Sequence, residues 1–537
     1  MAHHAPPTAE VALAGATTRS RSGVSFRSEN SWFRPAGGAI VGNEVLLDRE
    51  TCRKARFARD PRFDGRFFIA VRTTRIFCRP ICPARSPREE NVEYYPSAAA
   101  ASTAGFRPCL RCRPECAPGT PAWNGSSTTV SRALREISEG ALDEAGVRNL
   151  AERLGVGDRH LRRLFVEHLG APPIAVAQTH RLLSAKRLLN DTDLPVTAIA
   201  LASGFGSVRR FNDAFRKTWN RSPRDLRRTR RSSKPAGLRF RLRYRPPFDW
   251  NALLAFLESR AIPGVECVSE GVYRRSIALS GVPGSIEVAH RDSEVILDVH
   301  HPDSGNLLAI VSRARRLFDL DADPLAIAAC LGSDPLLRPL VRARSGLRVP
   351  GAWDAFELGI RAILGQQVSV AGASTLAGRL VVRFGRPCEG EPAGVTHLFP
   401  GPADLAEADV ASIGLPRQRA QTVRAFAAAV AREDIVLDNR SAPEELRKQL
   451  QSIAGIGAWT AGYIALRAFN DPDALPSGDL VLLRATSTRT TPELDRRAER
   501  WRPWRAYAAL HLWQGVRDGH LLSMDGKPDR AVAAGGG

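Results

Sequence analysis

The sequence predicts a multidomain chain: a small mixed α/β unit, an all-α unit, an α+β sheet unit and a long all-α unit. Three patterns carry this expectation. Five of the nine cysteines crowd between Cys78 and Cys116, in a loop-rich stretch. Two helical segments built around glycine turns follow each other between 147 and 223. Beyond 238, apolar residues first alternate with period two and then recur at helical spacing to about 521.

Composition narrows the function classes. The 537 residues suffice for three or four domains, each with its own core. Net charge is +21, from 77 basic against 56 acidic residues, which favours a polyanionic partner such as nucleic acid. The sequence holds no run of eighteen or more apolar residues and no basic start followed by an apolar stretch, so neither a membrane span nor a secretory leader is expected. An odd, uneven set of cysteines reads as thiolate or metal chemistry in a reducing cytoplasm, not as a secreted disulfide frame.

Taken in order, residues 1–43 are rich in Ala, Gly, Ser and Arg without period, and are expected to be a disordered extension. The unit at 44–118 contains FFIAVRTTRIFCRPIC (67–82), which reads as a strand leading into a cysteine turn, and AGFRPCLRC (104–112), which supplies a second cysteine pair. Cys78 and Cys82, then Cys109 and Cys112, have the paired spacing that four-thiolate tetrahedral zinc requires. In so small a unit the metal would supply much of the folding energy. Cys116 stands near enough in sequence to compete as a ligand, and zinc as a mere staple of the fold remains an open reading here.

The stretch from DPRFDGRFFIAVRTTRIFCRPICPARSPREENVEYY through GFRPCLRC resembles the N-terminal domain of the Ada methyl-phosphotriester repair family. The resemblance implies that a zinc-bound cysteine takes a methyl group irreversibly from a DNA phosphate. By motif position the acceptor is Cys78, with Cys82, Cys109 and Cys112 completing the zinc shell, and Arg85 matches a phosphate-facing arginine. Arg75 stands where that family often has glycine. Zinc keeps sulfur in the nucleophilic thiolate form. Methylating one of four thiolates removes one negative charge beside a phosphate backbone, so DNA affinity should rise.

A Pro/Gly/Ser/Thr linker at 120–128 precedes the all-α unit, 129–229. VRNLAERLGVGDRHLRRLFVEHLG (147–170) and LPVTAIALASGFGSVRRFNDAFRKTWNRSP (194–223) each read as helix, glycine turn and basic helix. Arg159, Arg162, Arg209 and Arg210 fall on or near the outward faces of the basic helices, which is helix-turn-helix logic for the major groove. Two such units in tandem, ending in NRSP, resemble the AraC-type DNA-binding domain, and that resemblance implies transcription regulation at promoter sites. A basic linker at 230–237 follows.

From 238 to 345, FRLRY (240–244), SIALSG (276–281), SIEVAH (285–290) and EVILDVH (294–300) alternate as antiparallel strands do. NALLAFLESRA (251–261) reads as a helix covering the sheet, and SRARRLFDL (312–320) as a second helical segment. The unit at 346–521 reads as Ala-rich amphipathic helices around 355–384, 404–432, 443–470 and 493–514, with 522–537 a tail.

The last unit is organised around 453–480, where a Gly455-Ile456-Gly457 turn joins two helices and Pro476-Ser477-Gly478 delivers Asp479 to the next helix start. Bare amides at a helix start suit a phosphate, whereas an isolated Asp there is ordinarily an N-cap. The combination resembles the helix-hairpin-helix DNA glycosylases, and RAILGQQVSVAGA (361–373) and AERWRPWRAYAALHLW (498–513) extend the resemblance to the AlkA-type 3-methyladenine DNA glycosylases II. It implies an antiparallel-sheet subdomain and an all-α helix-hairpin-helix glycosylase domain, with Gly455 and Gly457 gripping DNA and Asp479 catalytic. Trp459, Tyr463 and Trp513 match the family's aromatic base pocket, which suits a flipped cationic base.

Trp459 occupies the position where strand-cleaving relatives carry a Schiff-base lysine, so hydrolysis without strand cleavage is expected. No cysteine follows Cys388, so no iron–sulfur cluster is expected. Gln367 stands where the family has an apolar wedge, and 484–491 also departs from the pattern.

The expected protein is a monomeric, cytoplasmic, nucleoid-associated alkylation-damage protein. It binds double-stranded DNA and RNA polymerase, carries one zinc, and joins a methyl-accepting regulator to a monofunctional glycosylase. Two readings stay open beside it: a regulator with a catalytically weak glycosylase-like clamp, and a glycosylase whose N-terminal half is a zinc-stapled tether.

Overall fold

The computed structural model describes residues 47–118, 126–143, 145–227, 238–388, 392, 394–437 and 443–521. The expected extension at 1–43, the linker at 230–237 and the tail at 522–537 lie outside the described residues, as does most of the linker at 120–128.

The cysteine unit is a four-stranded sheet flanked by the helices Arg49–Ala58 and Ala98–Thr103. The stretch expected as one strand into a turn is a hairpin: Phe68–Val71 pairs antiparallel with Ile76–Cys78, which places Cys78 opposite Ile69. Arg75 closes the turn at φ +55°, in the left-handed region that favours glycine. Its guanidinium lies over the Phe106 ring at 4.5 Å and donates to the Ala104 carbonyl at 3.0 Å, so side-chain contacts hold arginine in that backbone conformation.

The all-α unit has the expected repeats. Val147–Arg153 and the basic helix Asp158–Leu169 form the first, Val196–Ala202 and the basic helix Val208–Trp219 the second, and Pro173–Asp191 joins them. Phe211, Phe215 and Trp219 bury one face of the second basic helix, while Arg209, Arg210, Arg216 and Lys217 remain exposed.

The five-stranded antiparallel sheet takes residues from Leu238–Leu242 and from four strands between Glu266 and His300. Alternate residues Ile286 and Val288 face a core closed by the helices Trp250–Glu258 and Leu307–Leu317. Leu307–Leu317 begins earlier than its charged C-terminal half suggested, because Leu307, Ile310 and Val311 supply its apolar stripe. The apolar core then changes hands between Leu320 and Ala322. Helices Pro324–Leu331 and Leu337–Ala343, the last of the stretch to 345, pack with the C-terminal helix Arg505–Arg517.

The all-α unit at the C-terminus packs Ala355–Leu364, Val370–Phe384, Arg417–Ala431 and Ala458–Ala468 around Phe356, Phe426 and Leu380. The run expected as continuous over 355–384 breaks at 365–369, where Ser369 caps the second helix and Gln367 sits exposed at φ +56°.

Direct contacts join the units. Ser97 Oγ donates to the Leu169 carbonyl at 2.6 Å. Arg66 and Asp323, both almost fully buried, pair at 2.9 Å across the cysteine unit and the helical segment after the sheet. Arg135 donates to the Phe469 carbonyl, and Arg316 pairs with Glu139 at 2.8 Å. No described helix is long and apolar enough to cross a membrane.

Candidate active sites

In the cysteine unit, the hairpin brings Cys78 and Cys82 to one side and the strand–turn 107–112 brings Cys109 and Cys112 to the other. Their four Sγ atoms all lie within 4.8 Å of one another. A sulfur tetrahedron around zinc, with bonds of about 2.3 Å, has edges of about 3.8 Å, so the set fits one zinc ion. Cys116 is not part of it, and burial pushes its thiol up.

Two features distinguish the sulfurs. Cys78 and Cys82 are half-buried, whereas Cys109 and Cys112 are buried. The Arg79 backbone N–H donates to Cys112 Sγ at 3.4 Å, which draws electron density from that sulfur. Among the described residues no backbone amide donates to the half-buried Cys78 sulfur, so nothing of that kind draws density from it as Arg79 N–H does from Cys112.

The Arg79 side chain was not singled out in the sequence, and it clamps the site. It is buried, forms a two-point pair with Asp64, and donates to the Cys112 carbonyl at 2.9 Å. Arg85 is exposed three residues beyond Cys82. Arg159, Arg162, Arg209 and Arg210 are all exposed on their basic helices, with Arg162 paired to Asp158 at 2.9 Å on its own helix.

The second site is built by the hairpin 452–457 and the three helices that converge on it. Gly455 has φ +94°, and a Cβ there would lie 2.2 Å from Thr422 Oγ1, so both backbone and packing demand glycine. Thr422 Oγ1 donates to the Ala454 carbonyl at 3.0 Å, and Gln366 Nε2 donates to the Gly455 carbonyl at 2.9 Å, fixing the turn. Gly457 meets nothing within 4 Å and caps Ala458–Ala468, leaving an open helix N-terminus. We expect Gly455→Ala to destabilise the hairpin by about 1–3 kcal/mol and to weaken duplex binding, readable by urea denaturation and by fluorescence anisotropy.

Gly462 lets the Leu475 carbonyl approach where a Cβ would lie 2.9 Å from it, which presses the 476–478 turn onto the hairpin's second helix. Asp479 follows as the N-cap of Leu480–Ala485, its Oδ1 accepting from Leu482 N at 2.9 Å. A capping role needs no more than that. Yet Asp479 is only 6 % exposed, and two indoles from other helices also donate to it. Trp459 Nε1 reaches Oδ2 at 2.9 Å and Trp513 Nε1 reaches Oδ1 at 3.1 Å. Three N–H groups therefore aim a buried carboxylate, and each is a charge-assisted bond.

Tyr463 lies one turn beyond Trp459, with ring centroids 5.3 Å apart and planes 9° from parallel. That spacing is too small to admit a base between them, so the two rings form one aromatic slab. The three C-terminal tryptophans divide: Trp501 and Trp504 are buried in the core, Trp501 bonding Asp334 at 2.9 Å, and Trp513 alone reaches Asp479. Phe256, on the helix Trp250–Glu258 that covers the sheet, and Arg260, in the turn after it, carry no local signal in the sequence. Arg467 stacks at 4.9 Å on Phe256 and at 5.6 Å on Tyr463, which ties that helix to the slab.

Three family profiles match: the metal binding domain of Ada over residues 51–115, a helix-turn-helix domain over 150–229, and the AlkA N-terminal domain over 239–354. A Mycobacterium tuberculosis protein, the probable bifunctional transcriptional activator/DNA repair enzyme AlkA, is 42% identical over 476 residues, covering 87% of this chain and 96% of that protein. The chain belongs to this family. The bifunctional AlkA family joins segments that are separate elsewhere. DNA-3-methyladenine glycosylase 2 of Escherichia coli is 36% identical over 51% of this chain and 96% of its own length. The bifunctional transcriptional activator/DNA repair enzyme Ada of Escherichia coli is 40% identical over 28% of this chain and 40% of its own.

Proposed function

We propose that this bifunctional AlkA-family chain hydrolyses the N-glycosidic bonds of alkylated bases at Asp479 and accepts one methyl group from a DNA phosphotriester at Cys78, acting with its helix-turn-helix pair as a transcriptional regulator. The observation that carries the first half is the double indole clamp on Asp479, which a plain helix cap does not require.

As the base departs, the sugar develops oxocarbenium charge, and a carboxylate held in a water-poor cleft stabilises that cation. Trp459 and Trp513 keep both Asp479 oxygens fixed, and the slab of Trp459 and Tyr463 offers a face to the extruded base. Gly455 and Gly457 approach the phosphate backbone, and exposed Gln367, held in the left-handed region, fills the gap that the base leaves. With Trp459 in the position of a lysine nucleophile, the strand stays intact.

At the other site, zinc bound by Cys78, Cys82, Cys109 and Cys112 supplies thiolate character at neutral pH. The Cys78 sulfur, half-buried and free of amide donors, attacks the methyl carbon, and the phosphate leaves as a diester anion. Arg85 faces the phosphate, and Arg159, Arg162, Arg209 and Arg210 read promoter DNA. The domain limits proposed are 44–118, 129–229, 238–345 and 346–521, in a monomeric, cytoplasmic, nucleoid-associated protein that contacts RNA polymerase.

Two measurements test this reading. Purified protein is expected to release free 3-methyladenine from duplex DNA without nicking the strand, and absence of release rejects the glycosylase half. Protein methylated at Cys78 is expected to bind promoter duplex more tightly by on the order of fivefold at low salt, the gain shrinking as salt rises, because one negative charge has left a phosphate-facing surface. Equal affinities at low salt reject the regulatory switch.

A further inference from the structure

The aromatic slab carries opposite charges at its two ends. Asp479 is bonded to Trp459 at one end. Beyond Tyr463, at the other, Arg467 is 3 % exposed and its partners among the described residues are neutral: the Pro350 and Gly351 carbonyls, each at 2.9 Å, and the Tyr463 hydroxyl at 3.0 Å. Arg260 lies 3.9 Å over Phe256 and among the described residues donates to neutral oxygens, those of Ser259 and the Phe256 backbone. The neighbouring Arg361 is already paired with Glu266 at 3.0 Å. A buried guanidinium without a counter-ion is costly; Arg467 is one, and the half-buried Arg260 adds a second positive charge on Phe256.

Because Arg467 Nη1 fills a lone pair of the Tyr463 oxygen, the phenol proton is left to donate elsewhere, and no described residue accepts it. Burial works against a phenolate here, but the charges of Arg467, Arg260 and Arg361 outweigh it and hold Tyr463 below the ordinary phenol range, which makes the hydroxyl a stronger donor.

We propose that Arg467, acting through the Tyr463 hydroxyl, is a positioning residue that tilts base selection toward neutral lesions bearing a ring carbonyl. The inference rests on the glycosylase reading of the Asp479 site. Heterolysis of the N-glycosidic bond leaves the electron pair on the base. A base alkylated on a ring nitrogen starts cationic and departs neutral, so a positive pocket end repels it and gains nothing from its departure. A 6-oxopurine starts neutral and departs as an anion, which the Tyr463 O–H and the Arg467 charge stabilise. Water captures the sugar cation and loses a proton, and the departed anion takes up a proton from solvent.

Single-turnover release of hypoxanthine (neutral) and 7-methylguanine (cationic) from duplexes of one sequence tests this. Arg467→Met and Tyr463→Phe are each expected to lower the neutral-to-cationic rate ratio about tenfold. Arg467→Lys, which keeps the charge, should hold the ratio within about threefold. A structural role would slow both bases in parallel, and an unchanged ratio in Arg467→Met overturns the proposal. If that variant does not fold, parallel losses in Tyr463→Phe overturn it instead, since there the two backbone anchors of Arg467 remain. A loss in Arg467→Lys as large as in Arg467→Met overturns charge as the cause. Unsubstituted protein that releases 7-methylguanine but no hypoxanthine overturns this proposal alone, whereas release of neither base overturns the glycosylase reading as well.

Discussion

Asp479→Asn is expected to slow base release at least about 100-fold, corresponding to about 2.7 kcal/mol or more of lost transition-state stabilisation. Asparagine caps a helix about as well as aspartate, so Leu480–Ala485 should keep its start and the fold should survive. What is lost is charge and one acceptor. A neutral amide cannot stabilise the sugar cation, and its Nδ2 would face either the Trp459 or the Trp513 indole N–H, donor against donor. Duplex affinity, set by phosphate contacts at the hairpin, should change little. The check is single-turnover base release beside a binding isotherm, and near-normal release would remove Asp479 from the chemistry.

Cys78→Ala is expected to abolish methyl uptake from methyl-phosphotriester DNA and to leave base release intact. Three sulfurs would remain to hold zinc, and the Asp64–Arg79 pair would still tie the two cysteine turns together. Serine at Cys109 or Cys112 removes a buried ligand and is expected to lose zinc and unfold this unit. Protein mass after exposure to methylated DNA, beside metal content, separates the two classes. Methyl uptake without Cys78 would name Cys82, the other half-buried sulfur, as the acceptor.

The residues legible in the sequence are those whose meaning is local. The cysteine pairs, the Gly455–Gly457 turn and Asp479 after a Pro-Ser-Gly break each announce themselves through spacing within a few positions. The repeated helix-turn-helix pattern is local in the same way. The indole clamp on Asp479 is not, because Trp459 and Trp513 lie on different helices and only tertiary packing turns their N–H groups toward one carboxylate. Phe256, Arg260 and Arg467 were missed for the same reason. Phe256 belongs to a helix whose amphipathic pattern describes its sheet-facing side, and that pattern is silent about the edge it shows to Tyr463.

The break at 365–369 also escaped a pattern reading, since Ala-rich residues on both sides continue the helical period through it. So did the change of core near Leu320, because Pro324–Leu331 and Leu337–Ala343 are too short to reveal a partner by periodicity. The hairpin at 71–76 was hidden by Arg75, which takes a left-handed position without the glycine that usually marks one.

One chain is expected to perform two separable chemistries with different stoichiometries. The most direct measurement is a single reaction of purified protein with excess duplex carrying both a methyl phosphotriester and 3-methyladenine, following free base by chromatography and protein mass by spectrometry. Free 3-methyladenine is expected to continue accumulating beyond one equivalent of protein, while mass rises by a single methyl group, on Cys78, and then stops. Base release that halts at one equivalent, or that ceases once Cys78 is methylated, would contradict it.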